Sequence, residues 1–175
     1  RRHLEVTEGE VATYIPELAK VDPARFGMSV CLADGSRLDI GDAEVRFSIQ
    51  SVSKVFALAL ALGRFGDNIW KRVGREPSSS AFNSVVELEL EAGKPRNPFV
   101  NAGAIVTTDA NLTGRTPKDT LAEMLRFVRA AASDDAIYID AALARSENLT
   151  GHRNWSLAHF LKSCGNLEHD CELAL

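Results

Sequence analysis

The sequence predicts an α/β protein of the α+β type, in which a β-hairpin near the start precedes a mostly helical remainder. Two short apolar stretches, Phe26–Leu32 and Arg37–Ile40, are separated by Asp34-Gly35, a pair typical of a tight turn between antiparallel strands. From Lys54 onward, apolar residues recur at helical spacing and helix-start signals repeat. The expected fold is therefore an antiparallel sheet flanked by a helical region.

The composition is that of an ordinary globular protein. The 175 residues, 45% hydrophobic and 25% charged, suffice for one domain, which we divide into 1–50, a helix plus the hairpin, and 51–175, mostly helical. Twenty Lys and Arg against 24 Asp and Glu give a net charge of −4 without a basic block, which argues against nucleic-acid binding. No apolar run reaches membrane-spanning length, and three cysteines without a framework pattern indicate a reduced, cytoplasmic setting.

Two further elements are expected before residue 51. Thr7 and Glu10 have the spacing of a capping box, which predicts a short helix as far as Ile15. Val45–Ile49 is expected to form a third extended segment that leads into Ser51.

An apolar helix should follow Ser51 and end near Gly66. Thr116-Pro117 predicts the start of another helix, with Thr116 as its N-cap. Between these helices, residues 73–84 form a loop too long for a simple connector, and such loops often line functional sites.

Three helix boundaries are expected in the last third of the chain. Asp140 should cap a helix that runs towards Glu147, and Asn154 should cap a helix that Gly165 ends. The final residues, 170–175, have the pattern of a first helical turn.

Ser51 and Lys54 form a Ser-x-x-Lys motif at the start of the first predicted helix. This spacing puts the amine on the same face as the hydroxyl, one turn further on. A lysine enclosed by an apolar helix can accept the serine proton, and the helix N-terminus favours the negative charge that develops. The spacing is also met by an N-cap serine followed by a surface lysine, and the spacing alone does not distinguish that interpretation from a catalytic pair.

Asn101 is the one amide in the small, apolar run Phe99–Val106. Because a buried asparagine must find hydrogen-bond partners, Asn101 is either a structural cap or a ligand-binding amide. Cys164, Cys171 and His169 lack the spacing of a zinc site, so no metal is expected.

Five motifs occur in the order found in serine-dependent glutaminases, and the chain resembles that family over almost all of its length. The motifs are Tyr14–Ala19, Ser51–Lys54, Val73–Ser78, Pro95–Ala104 and the stretch from Ser146-Glu147 to Arg153-Asn154. The resemblance implies a β-lactamase/transpeptidase-like fold and hydrolysis of L-glutamine to L-glutamate and ammonia. The Ser-x-x-Lys motif itself is shared with serine β-lactamases and penicillin-binding proteins.

The resemblance also implies a role for each matched residue. Ser51 would be the nucleophile and Lys54 its proton acceptor. The substrate-binding residues would be Tyr14, Gln50, Ser51, Asn101, Glu147 and Asn154, of which Gln50 is the weakest candidate. The family further implies homo-oligomers with no metal and no organic cofactor.

The chain departs from the family pattern in two places. The family has a tyrosine after Asn154 that assists Lys54, and neither Tyr14 nor Tyr138 stands in that motif. His152 stands where the family usually has an acid. At His152 we expect a tuned turn and not a loss of function. From the missing tyrosine we expect this chain to be the N-terminal part of a catalytic domain, incomplete at the C-terminus, with the missing part of its own domain as a further partner; the alternative is an active site that another chain completes.

Two alternatives remain open. A penicillin-recognising serine acyl-transferase or β-lactamase would share the fold, although the sequence contains neither S-D-N nor K-T-G. The other alternative is an inactive, truncated fragment whose exposed sheet edge serves assembly.

Overall fold

The structure is a computed structural model that describes residues 9–175. The described residues belong to two compact units, one running up to Ser48 and including Asp140–Thr150, the other made of Ile49–Ile139 and Gly151–Leu175. The predicted N-cap at Thr7 lies outside the described residues. Within residues 9–175, no helix is both long enough and apolar enough to cross a membrane.

Two antiparallel strands and a series of α-helices follow one another along the chain, which confirms the predicted α+β class. In chain order they are β1 (Gly27–Cys31), β2 (Arg37–Gly41), α1 (Ser53–Phe65), α2 (Val85–Leu90), α3 (Asn101–Leu112), α4 (Pro117–Ala132), α5 (Ala141–Thr150), α6 (His152–Ser163) and α7 (Cys171–Ala174). Short 3₁₀ helices lie at Leu18–Lys20, Gln50–Val52 and Gly66–Lys71.

The hairpin of the first unit forms as the sequence predicts. Leu32 N–H donates to the Ser36 carbonyl at 2.9 Å and closes the turn. Gly35 occupies the left-handed region of the backbone there, with φ at +84°, a conformation that glycine adopts without a steric penalty. In the register that results, Val30 lies opposite Leu38 and both side chains are exposed.

The segment before the hairpin differs from the prediction. Residues 9–15 are not helical, and a 3₁₀ turn appears only at Leu18–Lys20, so the predicted helix as far as Ile15 is wrong. Pro16 disfavours helical geometry at Ile15, the residue before it. The side chain of Ile15 is buried, and this burial stabilises the segment in its non-helical conformation. The backbone N–H of Glu17 donates to Ser146 Oγ on α5 at 3.3 Å.

Asp140 caps α5, as predicted. Its Oδ1 accepts the backbone N–H groups of Ala142 and Leu143, each at 3.0 Å. The expected extended segment at Val45–Ile49 forms no strand, since β1 and β2 are the only strands within residues 9–175, and its last residue, Ile49, has a helical backbone conformation. The segment begins in a turn instead, in which the Val45 N–H donates to the Asp42 carbonyl at 2.9 Å.

Helix α3 forms the centre of the second unit, where it packs against α1, α6 and α7. Its buried residues include Ile105 and Val106, which join Leu157 and Leu161 of α6 in one apolar cluster. Gly103 permits the close packing at the start of α3, since a Cβ at this position would lie 1.9 Å from the Asn97 carbonyl oxygen.

A buried carboxylate fastens α3 to two other segments of this unit. Asp109 is fully buried and accepts the backbone N–H groups of Glu168 at 3.0 Å and His169 at 2.8 Å. It also pairs with the Arg72 guanidinium and with the His169 ring, whose Nδ1 lies 2.9 Å away. Burial alone raises the pKa of Asp109, but the Glu168 N–H, Arg72 and His169 together outweigh it and lower the pKa below its usual value.

The start of α4 confirms the prediction from Thr116-Pro117. Thr116 Oγ1 accepts the backbone N–H of Asp119 at 3.1 Å, and Pro117 occupies the first helical position. Proline suits that position because its missing N–H has no helical partner to lose.

Candidate active site

Ser51 lies in the 3₁₀ turn Gln50–Val52, which runs directly into α1. The backbone N–H of Ser53 donates to the Gln50 carbonyl, so the turn and the helix form one continuous helical stretch. Ser51 is exposed and Lys54 is half-buried one turn further on. The prediction that Ser51 sits in the first helical turn is confirmed.

Gln50 adopts a left-handed backbone conformation immediately before Ser51. Its φ of +43° is unusual for a residue with a side chain and costs on the order of 1 kcal/mol. The hydroxyl of Ser53 donates to the Gln50 carbonyl at 2.7 Å and helps to hold this geometry. Strain of this kind is concentrated at functional sites, and here it determines how Ser51 enters the helix.

Lys54 is hydrogen-bonded to the segment that leads into α3. Its Nζ donates to Asn101 Oδ1 at 2.7 Å and to the Phe99 carbonyl at 3.0 Å. Asn101 is the residue that the motif predicts. The Phe99 carbonyl was not predicted, because every residue has a backbone carbonyl and the sequence does not show which one accepts a hydrogen bond.

The hydrogen-bonded chain continues from Asn101 to Asn154. Asn101 Nδ2 donates to Asn154 Oδ1 at 2.9 Å. The prediction that Asn154 caps a helix is wrong, since α6 begins at His152 and Gly151 is its N-cap. Asn154 therefore lies inside the first turn of α6, where its side chain meets Asn101.

The direction of this chain follows from the chemistry of lysine. Lys54 Nζ donates to Asn101, so the oxygen of the Asn101 amide faces Lys54 and its nitrogen faces Asn154. Asn154 accepts with its oxygen, and its own N–H groups are then the donors that it can offer to a ligand. An amide that offers donors suits a carboxylate, such as the α-carboxylate of an amino acid.

Tyr14 and Glu147 belong to the first unit, whereas Gln50, Ser51, Lys54, Asn101 and Asn154 belong to the second. Glu147 is exposed on α5 and follows Ser146, whose hydroxyl accepts the backbone N–H of Glu17. Tyr14 is 68% exposed and lies three residues before Glu17. Neighbouring segments of the first unit therefore carry these two side chains.

The second unit also contains a surface cavity of about 360 Å³ away from the network of Lys54. Its lining includes Trp70, Arg75, Lys94 and Arg96, and it does not include the predicted site residues. Among residues 9–175, no group of three or more His, Cys, Asp and Glu side chains could hold a metal ion.

Comparison with known proteins identifies the family. A sequence model of the family described as Glutaminase matches residues 9–175. The chain belongs to the glutaminase family. A glutaminase of Rhizobium etli (strain CIAT 652) is 57% identical over 170 residues, which cover 97% of this chain and 55% of that protein. The chain thus spans about half the length of the curated relatives it matches.

Solved structures of glutaminases share the fold. A structure described as "Probable glutaminase ybaS" has a TM-score of 0.91 at 34% identity, covering 98% of this chain and 55% of that one. A second, described as Mglu in its tris and glutamate form, has a TM-score of 0.89 at 36% identity, covering 98% of this chain and 38% of that one. The predicted family and its β-lactamase-like fold class are confirmed.

Proposed function

We propose that the protein hydrolyses L-glutamine to L-glutamate and ammonia through a γ-glutamyl ester on Ser51. The observation that carries this proposal is the hydrogen-bonded chain from Lys54 through Asn101 to Asn154, one turn away from Ser51. Membership of the glutaminase family supports the substrate, and one related structure contains glutamate, the product of that reaction.

The proposed reaction has two steps. In the first, Ser51 Oγ bonds to the carboxamide carbon of glutamine while its proton passes to Lys54 Nζ, which acts here as the neutral amine. The C–N bond then breaks, and the nitrogen leaves as ammonia after it has gained that proton. In the second step, water attacks the ester, releases glutamate and returns a proton to Ser51. The backbone N–H of Ser51, at the start of a helical stretch, is a candidate donor to the oxyanion.

Two ionic groups of the substrate require partners. The α-ammonium calls for a carboxylate, the role that we assign to Glu147. The α-carboxylate calls for donors, the role that we assign to the amide of Asn154. Asn101 contributes by holding Asn154 and Lys54 together, and Tyr14 and Gln50 remain pocket-lining candidates.

The rest of the catalytic machinery is proposed to come from outside the matched motifs. Neither Tyr14 nor Tyr138 stands in the motif of the family's assisting tyrosine. The curated relatives are about twice as long as this chain, so we assign that tyrosine and the second oxyanion donor to the part that the chain does not span. On the family resemblance we also propose a homo-oligomer without metal or organic cofactor. The free thiols of Cys31, Cys164 and Cys171 support a cytoplasmic location.

The decisive experiment is Ser51→Ala in the protein as its gene encodes it. We expect the release of ammonia from glutamine to fall by at least about a thousandfold, because the variant lacks the hydroxyl to which the ester is assigned. Mass spectrometry of the wild type, quenched during turnover, should detect one added glutamyl group on the peptide that contains Ser51.

A matched control removes another serine hydroxyl. Ser163 Oγ donates to the Phe160 carbonyl at the end of α6, and Ser163→Ala should leave turnover unchanged. Undiminished ammonia release by Ser51→Ala would refute the mechanism. Acylation of Ser51 by a penicillin without glutamine hydrolysis would favour the penicillin-recognising alternative instead.

A further inference from the structure

Lys54 takes its direction from one short segment of the second unit. Two acceptors of its Nζ, the Phe99 carbonyl and Asn101 Oδ1, lie two residues apart in the chain. Hydrogen bonds to both orient the amine within the second unit. Both acceptors are neutral oxygens, which direct the amine but bind it less strongly than a carboxylate would.

Asn97 determines the conformation of that segment. Its Oδ1 accepts the backbone N–H of Phe99 at 2.9 Å and that of Val100 at 3.1 Å. An asparagine oxygen that accepts N–H groups two and three residues further on holds the backbone in a turn. This turn fixes the peptide that carries the Phe99 carbonyl and delivers the chain to Asn101.

The other side of Asn97 is anchored to a neighbouring segment. Asn97 Nδ2 donates to the Glu76 carbonyl at 2.8 Å. The two backbones are paired as well, since Gly74 N–H donates to the Pro95 carbonyl at 2.7 Å and Glu76 N–H to the Arg96 carbonyl at 2.9 Å. The amide of Asn97 therefore connects the backbone at Glu76 to the turn that holds the acceptors of Lys54.

We infer that Asn97 is a positioning residue for Lys54, which acts through the turn that aims the Phe99 carbonyl and the Asn101 side chain at Nζ. The inference rests on the proposed function, in which Lys54 accepts the proton of Ser51. The hydrogen bonds of Asn97 go to Glu76, Phe99 and Val100, and not to Lys54 or Ser51. Its effect should therefore appear in the chemical step and not in the binding of glutamine.

The test compares Asn97→Asp with Asn97→Ala. Aspartate retains the oxygen that accepts from Phe99 and Val100, but it cannot donate to the Glu76 carbonyl. Alanine loses both functions. Both variants thus lose the same anchor, and only the alanine variant loses the turn that directs Lys54.

We expect Asn97→Ala to lower kcat by about 10- to 100-fold, since a displacement of about 1 Å costs a reaction that much, and to change KM by less than about threefold. Asn97→Asp should retain kcat within about fivefold of the wild type. Both are measured from about pH 6 to about pH 9, so that kcat is compared at its plateau despite the added charge. Urea unfolding of each variant shows whether the assayed protein is folded.

Equal kcat values for the two variants, or an effect confined to KM, would overturn the inference. If Asn97→Ala does not fold, Asn97→Ser replaces it, because a serine hydroxyl is a shorter and weaker acceptor. Its kcat should then lie well below that of Asn97→Asp, and equality of the two would again overturn the inference. Ser51→Ala is assayed in parallel. A wild type without glutaminase activity would refute the proposed function. An active wild type whose kcat is unchanged in the Asn97 variants would refute only the role of Asn97.

Discussion

The carboxylate of Asp109 is fully buried, and four donors surround it. Removing a charge from water costs several kcal/mol, which the Arg72 guanidinium and the N–H groups of Glu168 and His169 offset. These donors come from positions 37 to 60 residues away in the sequence. One side chain therefore fastens α3 to two distant segments of the second unit.

We predict that Asp109→Asn lowers the free energy of unfolding by about 3 kcal/mol, since it removes the buried carboxylate partner of Arg72 and leaves only the exposed Glu168 to pair with it. Urea denaturation measures the change. Asp39→Asn is the matched control, because Asp39 forms an ion pair with Arg37 at the surface and should cost less than about 1 kcal/mol. Equal losses in the two variants would contradict the assigned role of the buried pair.

The same carboxylate makes stability depend on pH in a defined window. Its native-state pKa lies below the usual 3.8, so the unfolded chain takes up the proton first as the pH falls. The contribution of Asp109 is complete above pH 3.8 and is lost as the pH falls through the native-state pKa. The difference in thermal stability between the wild type and Asp109→Asn should therefore shrink below pH 3.8. A difference that stays constant down to about pH 3 would argue against a lowered pKa.

The sequence predicted the residue types of the candidate site but not their arrangement. Ser51, Lys54, Asn101 and Asn154 were identified by motif, and the structure links the last three by hydrogen bonds. The Phe99 carbonyl and the turn at Asn97 were not predicted. A backbone acceptor can occur at any residue, and only the fold shows which one meets the amine.

At the level of elements, local signals predicted boundaries well. Thr116-Pro117 and Asp140 mark the starts of α4 and α5, because a capping side chain acts on backbone groups within three residues. Val45–Ile49, expected as an extended segment, pairs with no strand, because strand formation depends on a partner that the described chain does not provide. Asn154 failed as a cap because Asn101, 53 residues away, engages its side chain.

Two glycines in helices of the second unit have opposite surroundings. A Cβ on Gly103 of α3 would lie 1.9 Å from the Asn97 carbonyl oxygen, a backbone atom that cannot easily move. A Cβ on Gly63 of α1 would meet nothing within 4 Å. The first glycine is required by packing, and the second only weakens its helix.

We predict that Gly103→Ala destabilises the protein by about 3 kcal/mol or more, since either α3 or the turn at Asn97 has to shift. Gly63→Ala should instead stabilise it by about 0.5 to 1 kcal/mol, through the better helix propensity of alanine. Thermal or urea unfolding of both variants provides the measurement. Stabilisation by both substitutions would show that the close approach at Gly103 does not exist in solution.

At the level of the whole molecule, burial is distributed unevenly between the two units. Most of α3 is buried, whereas every residue of β1 is exposed. A two-stranded hairpin is marginally stable by itself, and local opening of such an element requires little free energy. The second unit should therefore determine the global free energy of unfolding of the described chain.

Amide hydrogen exchange of the 175-residue chain should reveal this difference. We predict that the amides of β1 and β2 exchange at least about a hundredfold faster than those of α3, whose opening requires disruption of the apolar cluster with α6. Peptides from the two regions, resolved by mass spectrometry, give both rates in one experiment. Equal protection of hairpin and helix would mean that the chain opens only as a whole.

The hydrogen bond from Glu17 to Ser146 spans 129 residues within the first unit, and this span sets a time scale for synthesis. A ribosome that adds about 5 to 20 residues per second needs about 6 to 26 s to make that length. During this interval the nascent chain holds the hairpin but not α5, so the backbone N–H of Glu17 lacks the Ser146 hydroxyl that accepts it in the folded unit. The early part of this protein is translated long before its packing partner exists.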